Sequence, residues 1–460
     1  MQDIDVYKKF VDDCEKKSFD LNHRKTIAFN ISRYNVAVKK GKTQYANLEL
    51  ARKKAAVIKH KAIEELENQL KEFEINISSR GAKVIWALDA NEARRAIIDI
   101  LEKHHVKHVV KSKSMITEEL ELVDCLEKNG IEAVETDLGE YIVQISDDKP
   151  YHIVTPVMHK SAKDIAGIFH EKFGLPIEST PEEITAFVRK KLRDKFLKAG
   201  AGITGANFLI ANPGAVSLTE NEGNAVMSTS FPDVHIAIAG IEKIVPNLND
   251  LDLFWPLLST HGTGQKVTAY NSVFTGPKKR DENNGPSFMY VVLLDNGRTN
   301  LLGKIPQRRS LSCIRCGACL NACPVYRTIG GHSYGTVYSG PIGSVISPHL
   351  RGLDVYKHLS FASSLCGKCT EVCPVHISLH SHLLQNRSDT VSSKLVSKQE
   401  KIGIYFWKTA MKKRWMMDAA PAPVKNFFMK KLFSKTWGAR RAMPIVKNKS
   451  FGKLWKENFE

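Results

Sequence analysis

The sequence of 460 residues predicts an α/β domain, then a mostly helical cysteine-rich segment, then a basic helical tail. Strand and helix patterns alternate between about residues 76 and 303, which is typical of an α/β domain with a largely parallel sheet. Seven of the nine cysteines lie between Cys313 and Cys373, and residues 394–460 carry 17 Lys and Arg against 4 Asp and Glu. A chain of this length is too long for one hydrophobic core, so several domains are expected.

Residues 1–75 are predicted to be an N-terminal helical region, with one long helix over 44–75. Apolar residues recur there at spacings of three and four, and neither Gly nor Pro interrupts the pattern. Within the α/β domain, residues 76–303, the first strand is predicted at GAKVIWALD and a helix at ANEARRAIIDILEKHHV. KHVVKSKS is predicted as a strand, and TEELELVDCLEKNG as a helix that ends at Gly130. IEAVETD, YIVQIS, VHIAIAGIEKIV, KVTAYNSVFTG and FMYVVLLDNG are predicted as further strands.

The cysteine runs CIRCGACLNACP and CGKCTEVCP form the strongest motif and lie in a predicted domain over 306–390. The first has the spacing C-x2-C-x2-C-x3-C-P, and the second has the same spacing without its first cysteine. In proteins with two 4Fe-4S clusters, the cysteine before proline ligates the cluster of the other run. A structural zinc site, with paired ligands and no Cys-Pro, fits less well. The spacing therefore assigns Cys313, Cys316, Cys319 and Cys373 to cluster one, and Cys323, Cys366 and Cys369 to cluster two.

Cluster two lacks one thiolate in this assignment, because Ser363 stands where its first cysteine would be. A hydroxyl is a poor ligand beside thiolates, so an iron open to water, a small ligand or a partner residue is the first expectation and Ser363 the second. The alternative is a three-iron cluster that has lost this iron. Cys14 and Cys125 lie in other predicted domains and are expected to be small buried hydrophobic residues. His376 and His380 are expected to be hydrogen-bond partners of sulfur rather than iron ligands.

The segment GAGITG contains Gly200, Gly202 and Gly205 in the dinucleotide-binding spacing G-x-G-x-x-G. That fingerprint must follow a strand and open a helix. Here it follows a predicted helix, PEEITAFVRKKLRDKFLKAG, and opens a predicted strand. The glycines are therefore expected to form a helix C-cap and a flexible turn rather than a nicotinamide or flavin site.

The loop TENEGN places Glu220 and Glu222 after a predicted strand, where α/β proteins commonly hold ligands. A carboxylate there could act as a base or a nucleophile, and Glu222 is the candidate catalytic residue. The alternative is a solvated turn with Gly223 at positive φ. Two further segments could form an anion site, namely KSKSM at residues 111–115 and ETDLGE at residues 135–140, although the former could equally be a solvated strand end.

The basic tail, residues 391–460, interleaves aromatic residues with lysines and contributes 13 of the 18 net positive charges. It could pack on a partner subunit, contact an anionic membrane surface as interfacial helices, or remain solvated and partly disordered. No nucleic-acid-binding motif is present, so nucleic acid is not expected. Neither a signal peptide nor a run of about 18 apolar residues is found, which predicts a cytoplasmic protein, with peripheral contact at the inner face of the membrane as an option.

The chain resembles the LutB-like family of lactate-utilisation iron–sulfur proteins. The resemblance rests on KSKSMITEE, VETDLGEYIVQ, NEGNA, GIEKIVP, TGQKVTAY, LLDNGR, CIRCGACLNACPVYR, YSGPIG and SSLCGKCTEVCPV. It implies a lactate-utilisation (LUD) domain like those of the sugar-isomerase and CoA-transferase group, followed by a ferredoxin-like segment. It also implies two partners, a small cysteine-rich subunit and a second LUD-domain subunit, and flavin-independent oxidation of L-lactate to pyruvate.

Two clusters in one short segment indicate single-electron transfer, whereas the substrate follows from the resemblance alone. The first expectation is therefore an iron–sulfur electron-transfer subunit of a lactate-oxidising complex rather than an enzyme by itself. A second reading is an acyl- or CoA-handling enzyme that uses the loop of Glu220 and Glu222. A third is a scaffold in which the clusters only stiffen the fold.

Overall fold

The computed structural model describes residues 2–413, 415–416, 419–437 and 442–459. The chain forms two compact units, Met1–Asp389 and Thr390–Glu460. All the strands and all seven motif cysteines among the described residues lie in the first unit. The predicted boundaries near residues 75 and 303 fall inside this unit and stay predictions.

The strands of the described residues build one large parallel sheet and one smaller mixed sheet. In chain order they are β1 Lys83–Ala87, β2 His108–Lys111, β3 Glu132–Glu135, β4 Ala201–Gly205, β5 Phe208–Asn212, β6 Ala215–Glu220, β7 Val234–Gly240, β8 Ile244–Asn247, β9 Tyr270–Phe274 and β10 Phe288–Leu294. The six-stranded sheet has the order β1-β10-β7-β4-β2-β3, and every pair in it is parallel. The four-stranded sheet has the order β8-β5-β6-β9, with β5 parallel to β8 and antiparallel to β6.

The large sheet is covered on both faces, which is why its central strands are apolar throughout. Ile236 and Ile238 of β7 join a core on one face, whereas Ala237 and Ala239 join a core on the other. The helices of the first unit are α1 Gln2–Phe19, α2 Leu21–Gly41, α3 Leu48–Glu64, α4 Leu66–Ser78, α5 Ala90–Lys103, α6 Met115–Glu119, α7 Leu122–Lys128, α8 Leu138–Ile145, α9 Ala162–Phe173, α10 Pro181–Lys198, α11 Asn224–Ser230, α12 Leu251–Gly262, α13 Arg298–Leu302, α14 Ala318–Ala322, α15 Tyr326–Ile329, α16 Gly340–Arg351, α17 Leu353–Phe361, α18 Lys368–Glu371 and α19 Leu379–Ser392. Helices α5 and α7 pack in the first core, and α4 packs in the second together with the small sheet.

The segment YIVQIS, predicted as a strand, is instead part of helix α8. Its apolar run is compatible with either structure, since a short buried run does not reveal its period. The start of the helix is fixed by Asp137, whose Oδ1 accepts a hydrogen bond from the backbone N–H of Glu140 at 3.1 Å. An N-cap of this kind satisfies a backbone donor that a strand would have paired differently.

Two long predicted helices are each divided into two. The helix predicted over 44–75 is broken at Glu65, where φ is −102° and ψ is 23°, and α4 continues to Ser78. TEELELVDCLEKNG forms α6 and α7, separated by a turn in which Glu121 takes a left-handed φ of 47°. The second break has a structural reason, because Glu119 before the turn bonds to a buried arginine of the site described below. Gly130 follows α7 at φ 70°, as predicted.

Two of the three glycines of GAGITG, Gly202 and Gly205, are part of strand β4, whereas Gly200 lies in the bend between helix α10 and the strand. Helix α10 ends at Lys198 with Ala199 as its C-cap, and β4 begins at Ala201. A Cβ at Gly202 would lie 1.6 Å from the carbonyl oxygen of Ser228, which follows from the close packing of α11 on the strand. Gly202 therefore permits backbone contact with a helix. The expected turn is found at Gly200 alone, and the expected glycine C-cap is wrong because Ala199 is the C-cap.

The cysteine-rich segment packs on the N-terminal helices, within the same unit. The rings of Tyr7 and Phe10 in α1 contact His358 of α17, at centroid distances of 5.7 and 4.8 Å. Arg52 of α3 donates to the carbonyl oxygen of Cys373 at 2.8 Å. The N-terminal helices thus support the turns that carry the cysteines.

The second unit contains three helices among its described residues after the end of α19. They are α20 Lys398–Lys412, α21 Ala422–Trp437 and α22 Phe451–Phe459. Large aromatic side chains are exposed along all three, including Trp407, Phe428 and Trp455. None of the described helices of the protein is long and apolar enough to cross a membrane.

Candidate functional site

The two cysteine runs fold into loops with the same backbone conformation. Arg315 and Leu365, just before the second cysteine position of each run, take left-handed φ values of 61° and 54°. Gly317 and Gly367, just after it, take φ 79° and 77°, each with ψ −7°. Each loop then enters a short helix and ends at Cys-Pro. The two runs are therefore a structural repeat as well as a sequence repeat.

The structure brings the seven motif cysteines together as two groups. The Cys316 and Cys319 thiols both interact electrostatically with those of Cys313 and Cys373. The Cys369 thiol interacts with those of Cys323 and Cys366. Each group therefore combines cysteines from both runs.

The chemistry of these thiols fits iron–sulfur clusters. All seven are free of disulfide bonds, and five of them are buried, with Cys313 half-buried and Cys366 exposed. Burial raises the pKa of Cys369 and of Cys373 to about 11, so neither thiol ionises without a nearby cation. A bound metal supplies that cation and displaces the proton. The backbone N–H groups of Arg315 and Ile377 point at the sulfur atoms of Cys313 and Cys373 at 3.4 Å, as donors to thiolate commonly do.

The other residues predicted around the clusters have less direct roles. His380 hydrogen-bonds Thr370 Oγ1 at 2.7 Å, and His376 lies 3.2 Å from Glu49. Among the described residues neither histidine bonds a cysteine sulfur, and their expected role as partners of cluster sulfur stays a prediction. Cys14 and Cys125 are half-buried, and Cys14 packs against the core as predicted.

A cavity of about 580 Å³ lies at the carboxyl edge of the large sheet. Its walls include the residues that follow β2 and β4, among them Lys113 and Asn207. The chain runs outward from β2 to β3 on one side and from β4 to β7 on the other, so this is the topological switch point of the sheet. Open α/β sheets bind their ligands at this place. Another part of the wall is formed by Arg315 and Cys316 of the first cysteine loop and by Tyr338, which precedes α16.

The loop of Glu220 and Glu222 also lines the cavity, but the two carboxylates differ. Glu220 accepts the backbone N–H groups of Ala225 at 2.7 Å and Val226 at 2.8 Å, and so caps α11. Burial raises its pKa above the usual value. Glu222 is exposed, and Gly223 takes the positive φ of 77° that a tight turn requires. Of the two, only Glu222 remains available for chemistry.

The two lysines predicted at the end of β2 lie in different surroundings. Lys111 is buried in an ion pair, whereas Lys113 lines the cavity. Lys111 is 1% exposed and is paired with Glu135, from the ETDLGE segment, and with Glu118 at 3.6 Å. Lys113 lines the cavity and donates to the carbonyl oxygen of Val154 at 2.6 Å. The segments at 111–115 and 135–140 do face each other, but the contact is a buried ion pair rather than an open anion site.

A buried chain of charges joins the α/β domain to the first cysteine loop. Arg298 donates from Nε to Glu242 at 2.6 Å and from Nη2 to Glu119 at 2.8 Å. On the other side of Glu242, Arg315 Nη2 lies 3.3 Å from Oε1. Burial alone would raise the pKa of Glu242, but Arg298 and then Arg315 lower it to about 2. Glycine is required at position 240, because a Cβ there would lie 2.1 Å from Glu242 Oε2.

Two cations at the cysteine wall of the cavity lack a full set of partners. Lys243 lines the cavity and makes no hydrogen bond or ion pair with any described residue. Burial, and then Arg315, lowers its pKa from 10.5 to about 8, so it is still protonated at neutral pH. Arg315 lies 4.5 Å over the ring of Tyr338, and its Nη1 is buried without a hydrogen-bond partner.

Sequence reasoning did not find this charged chain. The signal that could have indicated it is the charged pair Glu242 and Lys243 inside the apolar run GIEKIVP, directly after a buried strand. A charge in that position must find a partner, but the sequence does not show that the partners are Arg298 and Arg315.

Comparison with known protein families assigns two regions of the chain. Residues 70–294 match the LUD domain, and residues 309–377 match the 4Fe-4S dicluster domain. The lactate utilization protein B of Bacillus pumilus (strain SAFR-032) is 46% identical over 345 residues, which are 75% of this chain and 72% of that protein. The chain belongs to the lactate utilization protein B family. The resemblance in the motifs is thereby confirmed.

A second relative agrees with this membership. The family member of Bacillus thuringiensis (strain Al Hakam) is 44% identical over 348 residues, which are 76% of this chain and 73% of that protein. The family is thus a LUD domain with a mostly parallel sheet, followed by a helical iron–sulfur region of ferredoxin type. Among solved structures, a duf162 family protein from Deinococcus radiodurans covers 50% of this chain and 98% of its own, with 14% identity and a TM-score of 0.29.

Proposed function

We propose that this chain is the iron–sulfur electron-transfer subunit of a multi-subunit complex that oxidises L-lactate to pyruvate. One observation carries the proposal, namely that the cavity at the switch point of the sheet is walled in part by Cys316 and Arg315. A ligand site of the LUD domain and a cluster loop therefore share one space. The family's name and its 4Fe-4S domain support lactate utilisation and iron–sulfur chemistry.

The proposal includes two 4Fe-4S clusters. Their ligands are, for cluster one, Cys313, Cys316, Cys319 and Cys373, and for cluster two, Cys323, Cys366 and Cys369. The two groups of interacting thiols support this assignment. Bound there, the clusters would supply one-electron carriers.

The protein's own residues prepare the two positions differently. At the first position three of the four cysteines are buried and Cys313 is half-buried, so none of the four is fully exposed. Arg315 and Lys243 bring positive charge to the same place, which favours thiolates over thiols. Cys366 is exposed, so the second position is close to solvent and to whatever molecule docks there.

We infer that partners dock at these exposed parts of the chain. The partners proposed are a small cysteine-rich subunit and a second LUD-domain subunit, with the loop of Cys366 as the place of electron exit. The exposed aromatic residues and 13 net positive charges of the tail support a contact with a partner or with the anionic inner face of a membrane. Either contact is expected to weaken with salt.

A redox titration of the anaerobically purified full chain tests the function. Electron-transfer clusters should give two reversible one-electron signals by electron paramagnetic resonance as the potential is lowered. A scaffold would show no reversible signal in the range of biological donors. That result would overturn the proposed function whatever the iron content.

One feature favours a second candidate, an acyl- or CoA-handling activity. Glu222 is exposed at the cavity in a glycine turn, as a nucleophile would need to be. Incubation with acyl-CoA, borohydride trapping and mass spectrometry of the tryptic peptide would detect an adduct at Glu222. An unmodified peptide would remove this candidate, and Glu222→Gln provides the matched negative control.

A further inference from the structure

We propose that Lys243 and Arg315 bind the carboxylate of a small 2-hydroxy or 2-oxo acid in the cavity beside the first cysteine loop. This inference rests on the proposed function for the choice of acid. The binding site itself rests on the geometry of the cavity wall.

The first support is the state of the two cations. Lys243 faces the cavity without a hydrogen bond or ion pair to any described residue. Arg315 keeps Nη2 on Glu242 and leaves Nη1 buried and unpartnered. Both residues line the cavity, so the guanidinium of Arg315 and the ammonium of Lys243 can together attract one carboxylate there.

The second support is the local balance of charge. The cations Lys59, Lys243, Arg298 and Arg315 surround the acids Glu119 and Glu242. Lys59 is itself fixed by the carbonyl oxygens of Glu242 and Ile244, both at 2.8 Å. Burial lowers the pKa of Lys59 to about 7, so Lys243, Arg298 and Arg315 are the full positive charges against the two acids, and one positive charge remains at this wall. A bound carboxylate would neutralise it.

A competing role for these cations is to balance the negative charge of four thiolates. The cavity favours carboxylate binding over charge balance, because side chains that only balance the charge of a cluster need no open space beside them. Here the space of about 580 Å³ lies directly against Lys243 and Arg315. Lys113 and Glu222 line the same cavity and could contact the rest of a small acid bound there.

Binding to the full chain with its clusters tests this site without turnover. Radiolabelled L-lactate and pyruvate are measured by equilibrium dialysis, with propionate as the acid that lacks a 2-oxygen. Lys243→Gln should weaken binding of both labelled acids by about tenfold or more, since a hydrogen bond to a charged group is lost. Arg315→Gln should also weaken binding of both labelled acids. Lys304→Gln is the matched control, because Lys304 is an exposed lysine near the first cysteine run.

Three outcomes would overturn the inference. They are no binding by the wild-type chain, equal binding by wild type and Lys243→Gln, and equal competition by propionate, which would leave only a general anion site. A shift of the potential of cluster one in Lys243→Gln with unchanged binding would assign the lysine to charge balance instead. Because reversible cluster signals are measured separately, the site can fail while the proposed function stands.

A different observation carries a second inference, which concerns position 363. Ser363 Oγ accepts the backbone N–H of Leu365 at 3.1 Å, and Cys313 Sγ accepts the backbone N–H of Arg315 at 3.4 Å. The bond spans two residues in both loops, and the acceptors occupy the same place in the repeat. We infer that Ser363 Oγ is the fourth ligand of cluster two. The spacing alone favours water or an external ligand over Ser363, and this inference places Ser363 first.

Iron bound to Ser363 would displace its hydroxyl proton to solvent, and the hard oxygen would favour the ferric state. The test compares Ser363→Ala, Ser363→Cys and the neighbouring Ser364→Ala by iron count and Mössbauer spectroscopy. Ser363→Ala should lose or alter one iron site, Ser363→Cys should keep four irons in cluster two at a raised potential, and Ser364→Ala should keep the wild-type iron count. A wild-type Mössbauer spectrum in Ser363→Ala would show that the iron binds water and would overturn the inference.

Discussion

Arg298 Nε donates to Glu242 Oε2 over 2.6 Å, and both side chains are only 1% exposed. The pair lies between the end of strand β7 and helix α13, and Arg315 extends it into the first cysteine loop. Buried ion pairs contribute little net stability compared with apolar residues, but they are costly to break from one side. The pair therefore fixes how the LUD domain meets the cysteine loop.

Arg298→Met should lower the free energy of unfolding by about 3–5 kcal/mol, because Glu119 and Glu242 are left buried without their partner. Urea unfolding of the anaerobically purified protein, followed by circular dichroism, measures this. Lys61→Gln breaks only the exposed contact with Glu65 and should leave the midpoint unchanged. Equal midpoints for Arg298→Met and wild type would contradict a structural role for the pair.

Acid should destabilise the protein through His235. This ring is fully buried, its Nε2 bonds Thr204 Oγ1 at 2.9 Å, and burial lowers its pKa from 6.5 to about 4. Between pH 6.5 and 4 the unfolded chain binds this proton and the folded protein does not, so stability falls as the pH falls through that window. The free energy of unfolding of His235→Gln should therefore fall by up to about 3 kcal/mol less than that of the wild type over this pH window.

Urea unfolding at pH 7 and at pH 4 gives the acid dependence of both proteins. The exposed His105, changed to Asn, is the control and should keep the wild-type dependence. If His235→Gln keeps it as well, His235 is not a source of the acid sensitivity.

The two carboxylates of the TENEGN loop should respond differently. Glu220→Ala removes the acceptor of two backbone N–H groups at the start of α11 and should cost about 1 kcal/mol of stability. Glu222→Gln should leave stability and iron content unchanged while it impairs lactate-dependent reduction in the assembled complex. Full activity of Glu222→Gln would show that the loop is only a turn, and loss of iron would indicate misfolding instead.

Truncation after Ser393 should leave the iron content unchanged, because all seven motif cysteines lie in the first unit. The same truncation should abolish salt-sensitive binding to vesicles that contain anionic lipid, since the removed residues carry most of the net charge. Iron analysis and co-sedimentation measure the two effects. A truncated protein without iron would make the tail part of the cluster fold.

The isolated chain should not oxidise L-lactate. A two-electron oxidation needs a site that separate one-electron carriers do not supply, and the sequence has no flavin or nicotinamide motif. The assay uses anaerobically purified protein, L-lactate and an artificial electron acceptor. Sustained turnover without the partner subunits would contradict the proposed division of labour.

Much of the fold could be predicted because its signals are local. Strands β2 and β10 are short apolar runs bounded by polar turns. The spacing of the cysteine runs indicates which residues can bind one metal centre. Helix α8 could not be predicted with the same rule, because its apolar run is compatible with a strand and only Asp137 marks a helix start. The pairing of Glu242 with Arg315 joins residues that are distant in sequence. Only the packing of the LUD domain against the first cysteine loop determines it.

The position of β1 has a consequence for the order in which the protein is made. β1 is an edge strand whose neighbour in the sheet is β10. Lys83 therefore cannot pair until Tyr290 has been synthesised. On the ribosome, the amino-terminal third of the sheet emerges long before its last strand, and such delayed pairing is slow. The cysteine loops emerge later still. The motif thiols of the growing chain thus become available for metal only after the sheet can be completed.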